Sequence, residues 1–319
     1  MKKYDLARCT ILPIAILLFC VTGRVFPMTP DPEGAPLAKG EHTAKINGLT
    51  LSYTVAGSGP VCIHPTPGWG PSSELYSLSL KPLEQKFTMV YLDTRGCGRS
   101  EKPALNALAM KDLVQDLEGL RKHLGVDSVW LMGHSDGGLI ILNYAFSYAG
   151  HVRGLIVVDA PLGGGDQSGE RFKKLQLRKN EPWFPEAFKA FQAEPKSQEE
   201  FTASMHTIMP FFFWSIENLK KNQEVFDKTD VSFYARRGRG SSDQSTADLA
   251  SFYPVMTIPT LIIMGSDDFV CSQSACEAIQ KEIRHSQLLV IKNAGHFPWM
   301  EQQEEFFGGI NKFVMPYLQ

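Results

Sequence analysis

The sequence predicts an α/β fold: a mostly parallel central sheet, flanked by helices, into which a helical lid is inserted. Three observations predict it. Short apolar runs alternate with helical stretches along most of the 319 residues, as strands and crossover helices do in a parallel sheet. That alternation breaks between residues 162 and 254, where aromatic and charged side chains dominate. A serine bracketed by glycines stands where one apolar run passes into a helix.

Ala44 to Ile46 and Leu49 to Val55 flank Asn47-Gly48, a pair suited to the positive φ angles of a tight hairpin, so two antiparallel strands open the sheet. Val61 to Ile63, Thr88 to Leu92, Ser128 to Met132, Leu155 to Val158, Thr260 to Met264 and Gln287 to Ile291 are each short enough to be buried strands. Leu113, Leu117, Leu120 and Leu124 recur at helical spacing and make one apolar stripe, which Gly125 ends. Phe184, Phe188 and Phe191 repeat at helical spacing among Pro182, Pro185, Pro195 and Pro210. Residues 41–161 and 255–319 therefore read as the core and 162–254 as the lid.

The amino terminus differs in kind. Lys2, Lys3 and Arg8 precede an apolar run from Ile11 to Val21, shorter than the roughly 20 residues that cross a bilayer and suited to the apolar segment of an export signal. Residues 1–23 read as a signal peptide, with Val21 and Gly23 at the cleavage position and an uncleaved membrane anchor as the alternative. Residues 24–40, with Pro27, Pro30, Pro32, Gly34 and Pro36, read as an extended linker. The protein is thus expected outside the cytoplasm, secreted or periplasmic.

A formal net charge of -2 excludes a dominant electrostatic partner such as nucleic acid. Arg236, Arg237 and Arg239, beside a serine-rich stretch, read as a solvated loop. Cys62, Cys97, Cys271 and Cys276 lie beyond the leader, and neither Cys-x-x-Cys nor His-Glu-x-x-His occurs. No metal and no other cofactor is expected, and the thiols read as free and buried. Cys271 and Cys276 are the pair near enough in sequence to close a bridge.

The run ending at Met132 leads into Gly133-His134-Ser135-Asp136-Gly137-Gly138 and then a helical stretch. This is Gly-x-Ser-x-Gly in its strand, turn, helix setting, where small neighbours let strand and helix approach and expose the hydroxyl. Ser135 is the nucleophile; Asp136 in that role would put bulky His134 at the small position. Asp136 instead offers its backbone N–H to a developing oxyanion, and His134 packs. A serine needs a base, and the base an orienting acid. Asp267 or Asp268, after the Thr260 run, supplies the acid, with Asp159 as a rival at another strand end. His296, after the Gln287 run, supplies the base. In His64-Pro65-Thr66-Pro67-Gly68, Thr66 stands between two residues that lack an N–H and reads as the second oxyanion donor.

These blocks resemble the α/β-hydrolase superfamily, and within it the proline iminopeptidase-like branch. The resemblance rests on His64 to Gly68, Asp93-Thr-Arg-Gly-Cys-Gly-Arg-Ser100, Gly133 to Gly138, Gly265-Ser-Asp-Asp268 and Gly295-His-Phe-Pro-Trp-Met-Glu301. It implies a serine hydrolase with Ser135, Asp268 and His296 as catalytic residues, and a structural role for the loop from Asp93. Peptidase members bind the substrate's amine with lid carboxylates; Glu181, Glu186 and Glu217 are available for that, and equally for solvation. The lid aromatics, among them Trp183, Phe211, Phe212, Phe213 and Trp214, serve both the lid's own core and an apolar pocket. A small-molecule or short-peptide substrate follows, with a small apolar acyl or aminoacyl group. A binding module that keeps the triad without turnover is the rival of another class.

Overall fold

A computed structural model of the chain describes residues 35–162, 167–241 and 249–318. The export signal and most of the linker lie outside the described residues. β1 (Gly40–Ile46) and β2 (Leu49–Gly57) form the predicted hairpin, Ile46 opposite Leu49, and Asn47 and Gly48 take φ of 50° and 83°. The Pro36 carbonyl accepts from the Tyr53 hydroxyl at 3.1 Å, so the last residues of the expected linker bond to the hairpin.

β3 (Val61–Pro65), β4 (Thr88–Leu92), β5 (Val129–His134), β6 (Val152–Val158), β7 (Thr260–Gly265) and β8 (Ser286–Ile291) complete an eight-stranded sheet in the order β1-β2-β4-β3-β5-β6-β7-β8. β2 runs antiparallel to both neighbours, and all pairings from β4 to β8 are parallel. The fold is that of an α/β hydrolase. Successive side chains of a strand face opposite sides, and here both sides are covered. Leu131, Leu155 and Val157 face one core with α2 (Met110–His123) and α3 (Asp136–Tyr148). Trp130, Met132 and Ile156 face the other with Phe306 and Phe313.

Between β3 and β4 lies α1 (Glu74–Ser79). The lid comprises α4 (Gln167–Leu177), α5 (Phe184–Gln192), α6 (Gln198–Ile208), α7 (Ile216–Lys221), α8 (Gln223–Asp227) and α9 (Phe233–Ser241). α10 (Leu249–Phe252) follows, and it differs from the sequence expectation: Leu249, Tyr253, Met256 and Ile258 join the core beside α3. The lid therefore ends earlier than residue 254, because those apolar side chains find more buried surface under the sheet than over it. α11 (Gln273–Glu282), α12 (Pro298–Glu301) and α13 (Gln303–Val314) close the fold.

The loop after β4 is fastened from two sides. Asp93 accepts from the Ser73 N–H at 2.7 Å and the Arg99 N–H at 3.1 Å, which bears out its structural reading. Arg95 grips Asp116 of α2 with two bonds of 2.6 and 2.7 Å, and Asn47 of the hairpin turn adds a third at 2.9 Å. Removing one partner of a buried pair leaves the other charge without compensation. Asp116→Ala is expected to lower unfolding free energy by about 3–5 kcal/mol, read as a shifted midpoint in urea denaturation.

Candidate active site

Ser135 lies between the last residue of β5 and the first of α3, with φ 54° and ψ -131°. A side-chain-bearing residue there is strained by about 1–3 kcal/mol and persists only if its surroundings hold it. Two bonds do so: the Ser135 N–H donates to the Val158 carbonyl, and its own carbonyl accepts from the Gly138 N–H, both at 2.9 Å. A Cβ on Gly133 would come within 2.3 Å of the Gly137 carbonyl oxygen, and one on Gly138 within 2.5 Å of Ala160 Cβ. The motif's glycines are thus set by contact distance. The hydroxyl is left at the α3 amino terminus, whose first amides have no intrahelical acceptor.

His296 follows β8, and its Nδ1 lies 2.8 Å from Asp268 Oδ2. The other carboxylate oxygen of Asp268 accepts from the Val270 N–H at 2.7 Å. Burial pushes this carboxyl up, but the His296 charge and these hydrogen bonds outweigh burial and hold it below the ordinary value. An ionised carboxylate only accepts, so Nδ1 donates and Nε2 is free to take a proton. Asp267 instead accepts from its neighbour Ser266 at 2.6 Å. Of the two adjacent aspartates, Asp268 is the one on His296.

His134 has the packing role assigned to it. Its Nε2 donates to the His296 carbonyl at 2.8 Å and its Nδ1 accepts from the Tyr76 hydroxyl at 3.0 Å. Burial keeps it neutral, reinforced by the charge of His296. It fixes the base through the main chain.

Asp159, the rival acid, lies beside Asp268 and does not bond His296. Its Oδ1 accepts from the Gly265 N–H at 2.9 Å, while Oδ2 is buried with no donor to satisfy it. Burial first, and the Asp268 charge second, push this carboxyl far above the ordinary range. Two carboxyl groups side by side satisfy one another when one keeps a proton. Burial and the neighbouring charge thus favour the protonated form of Asp159, and Asp159 is in turn among the groups that hold Asp268 low.

The oxyanion loop departs from the sequence reading. Thr66 is not a free donor: its N–H bonds the Leu92 carbonyl at 3.0 Å, because the parallel pairing of β3 with β4 runs one residue past the strand end. Its hydroxyl lies 2.9 Å from that of Thr94, so Thr66 ties the two loops together. Gly68 N–H points at Asp136 Oδ2, 3.0 Å away, and the same oxygen takes Arg239 Nη2 at 2.6 Å. Asp136 is therefore an organiser of the loop through its side chain, while its N–H opens α3 toward the nucleophile.

The lid reaches the base directly. The Phe212 carbonyl accepts from the His296 N–H at 2.7 Å. Glu301 accepts from Gly295 at 2.7 Å and from Trp214 and Ser215 at 3.0 Å each, clamping the His296 loop to the lid. Ser135 and His296 open into one cavity of about 500 Å³ whose wall includes Trp69, Leu139, Met205, Met209, Phe212 and Phe269. Arg171, Arg236 and Arg239 also line it. The arginine cluster lies on α9 and not in a loop: Arg236 and Arg237 are exposed, as a solvated reading expects, whereas Arg239 is 10% exposed. Glu181, Glu186 and Glu217 are exposed and are not among the lining residues. The four cysteines are free and buried. Cys271, Asp268 and His296 cluster, but the thiol donates to the Asp159 carbonyl and burial pushes its pKa up, which suits a packed thiol better than a metal ligand.

Sequence reasoning missed the clamp made by Glu301, the bond from His296 to the Phe212 carbonyl and the place of Arg171, Arg236 and Arg239 on the pocket wall. Glu301 had a signal, since it closes the block Gly295 to Glu301.

A strained serine at a helix amino terminus, sharing a pocket with a carboxylate-held histidine at the carboxyl edge of a parallel sheet, defines the class of α/β serine hydrolases. The chain belongs to the alpha/beta hydrolase fold family, whose model matches residues 60–303. It is 28% identical over 298 residues to a proline iminopeptidase of Thermoplasma volcanium, covering 86% of this chain and 95% of that one. A proline iminopeptidase of Saccharolobus solfataricus is 27% identical, covering 82% and 87%. Among solved structures, an esterase of Thermogutta terrifontis superposes with a TM-score of 0.65 at 22% identity, covering 88% and 99%, and shares the fold. The chain is an enzyme of that family, a serine hydrolase whose sequence is similar to proline iminopeptidases.

The proton on Asp159 has a signed consequence. An unfolded aspartate releases its proton near pH 3.9, whereas the folded one holds it well above, so stability falls as pH rises from about 4 toward the raised value. Asn keeps the acceptor for the Gly265 N–H and has no proton to lose. Asp159→Asn should therefore gain in melting temperature over the wild type as pH goes from 4 to 8; parallel curves would refute the assignment.

Proposed function

We propose that this protein hydrolyses esters of small, largely apolar substrates through an acyl-enzyme on Ser135. The observation that carries this reading is the meeting of Ser135 and His296 in one pocket, with Asp268 on the far nitrogen of the imidazole. Ser135 Oγ attacks the acyl carbon as His296 Nε2 takes its proton, and Asp268 keeps the imidazole in that tautomer. The Asp136 N–H, at the amino end of α3, stabilises the oxyanion. His296 returns the proton to the leaving alkoxide, and water then releases the acyl group by the same route. The basic and apolar amino terminus supports action after export.

Cleavage of an amino-terminal amide is the second reading, supported by the names of the two archaeal relatives. Against it, a free amine needs a carboxylate in the pocket. Asp136 is the one carboxylate among the described lining residues, and Arg239 and Gly68 already hold it.

Ser135→Ala should lower kcat by about 10⁴-fold or more and abolish labelling by a fluorophosphonate probe. A wild-type protein that resists the probe would sink the catalytic reading in favour of a binding module. Turnover of p-nitrophenyl esters against prolyl and alanyl anilides then divides the two activities; faster anilide cleavage would overturn the ester preference.

A further inference from the structure

The cavity wall is charged in a way the proposed reaction does not use. Among the described residues three guanidinium groups line it against one carboxylate, that of Asp136, which is bonded to Arg239. The arginines come from separate lid helices. Arg236 and Arg239 stand three residues apart on α9 and share its pocket face, whereas Arg237, between them, turns aside to lie over the Phe233 ring at 5.7 Å. Arg171 comes from α4, leans on the Phe269 ring at 5.8 Å and donates Nε to the Phe269 carbonyl at 3.2 Å. Its Nη2 also reaches the Val270 carbonyl at 3.5 Å; Arg171 and Arg236 are both exposed, and neither has a side-chain acceptor among the described residues. Solvation alone would scatter such groups over the surface. Here two helices bring them to the one cavity that holds Ser135, in a chain whose net charge is slightly negative.

We infer that the ester this site accepts carries an anionic group, a carboxylate on an otherwise apolar body, held by Arg171 and Arg236 while the acyl carbon lies at Ser135. The inference rests on the ester-hydrolase reading and names its substrate class. Each piece of the wall has a part in it. The apolar side chains take the carbon skeleton, the two open guanidinium groups take the anion by charge-assisted bonds, and Arg239, neutralised by Asp136, shapes the oxyanion loop. The same charge disfavours an amino-terminal peptide, whose ammonium would face two cations.

The test separates binding from turnover. Binding of monoethyl adipate, an anion at neutral pH, and of neutral diethyl adipate is measured by calorimetry on full-length Ser135→Ala. The monoester should bind at least tenfold more tightly, about 1.4 kcal/mol, and the advantage should shrink as salt rises. Adding Arg171→Gln and Arg236→Gln together should remove it, and Arg236→Lys should restore part of it; thermal melts check that the variants fold. Equal binding of the two esters, or an advantage that survives the double substitution, would overturn the inference. Hydrolysis by wild-type protein tells its failure from that of the underlying reading. If diester is cleaved without preference for monoester, the anion site is wrong and catalysis stands. If monoester binds preferentially but neither ester is cleaved, the anion site stands and catalysis at Ser135 is wrong.

Discussion

The left-handed turn at Ser135 is the constraint on which the rest of the structure depends. A serine at φ 54° holds only if strand and helix meet almost in contact, which sets Gly133 and Gly138 by steric distance. That contact aims α3 at the carboxyl edge of the sheet. Once it is aimed there, Asp268 and His296, which follow neighbouring strands β7 and β8, come to the same edge as Ser135 without long-range adjustment.

Around this turn the protein handles charge by pairing it. Asp268 is ionised in a buried place because His296, Val270 and the protonated Asp159 each favour its charged form. Asp159 is neutral for the complementary reason, since it is buried beside a charge of the same sign. Asp136, one residue past the nucleophile, is occupied by Arg239 and Gly68.

Lid and core form one mechanical unit at the base. Glu301 bonds three amides, two in the lid and one in the His296 loop, and Phe212 bonds His296 itself. The lid is therefore tied to the His296 loop by short hydrogen bonds, and it helps to set the position of the imidazole. The cavity between them is apolar along most of its wall and positive where α4 and α9 meet it.

The sequence by itself determined the parallel sheet, the opening hairpin and the turn that carries Ser135, and it put an aspartate, Asp267 or Asp268, and His296 past neighbouring strand ends. Each is a local matter: strand runs, helix stripes and the glycines of a tight turn are dictated within a few residues by sterics and by burial period. Tertiary structure decided which donor or acceptor was already occupied. Thr66 has the right neighbours for an oxyanion donor, yet Leu92 takes its N–H. Arg239 reads as solvated until Asp136, 103 residues away, appears beside it. Glu301 and Asp159 acquire roles only from partners that the fold brings to them. Hydrogen bonding saturates, so a group's function depends on the partner that reaches it first, and that partner is fixed by packing across the whole chain.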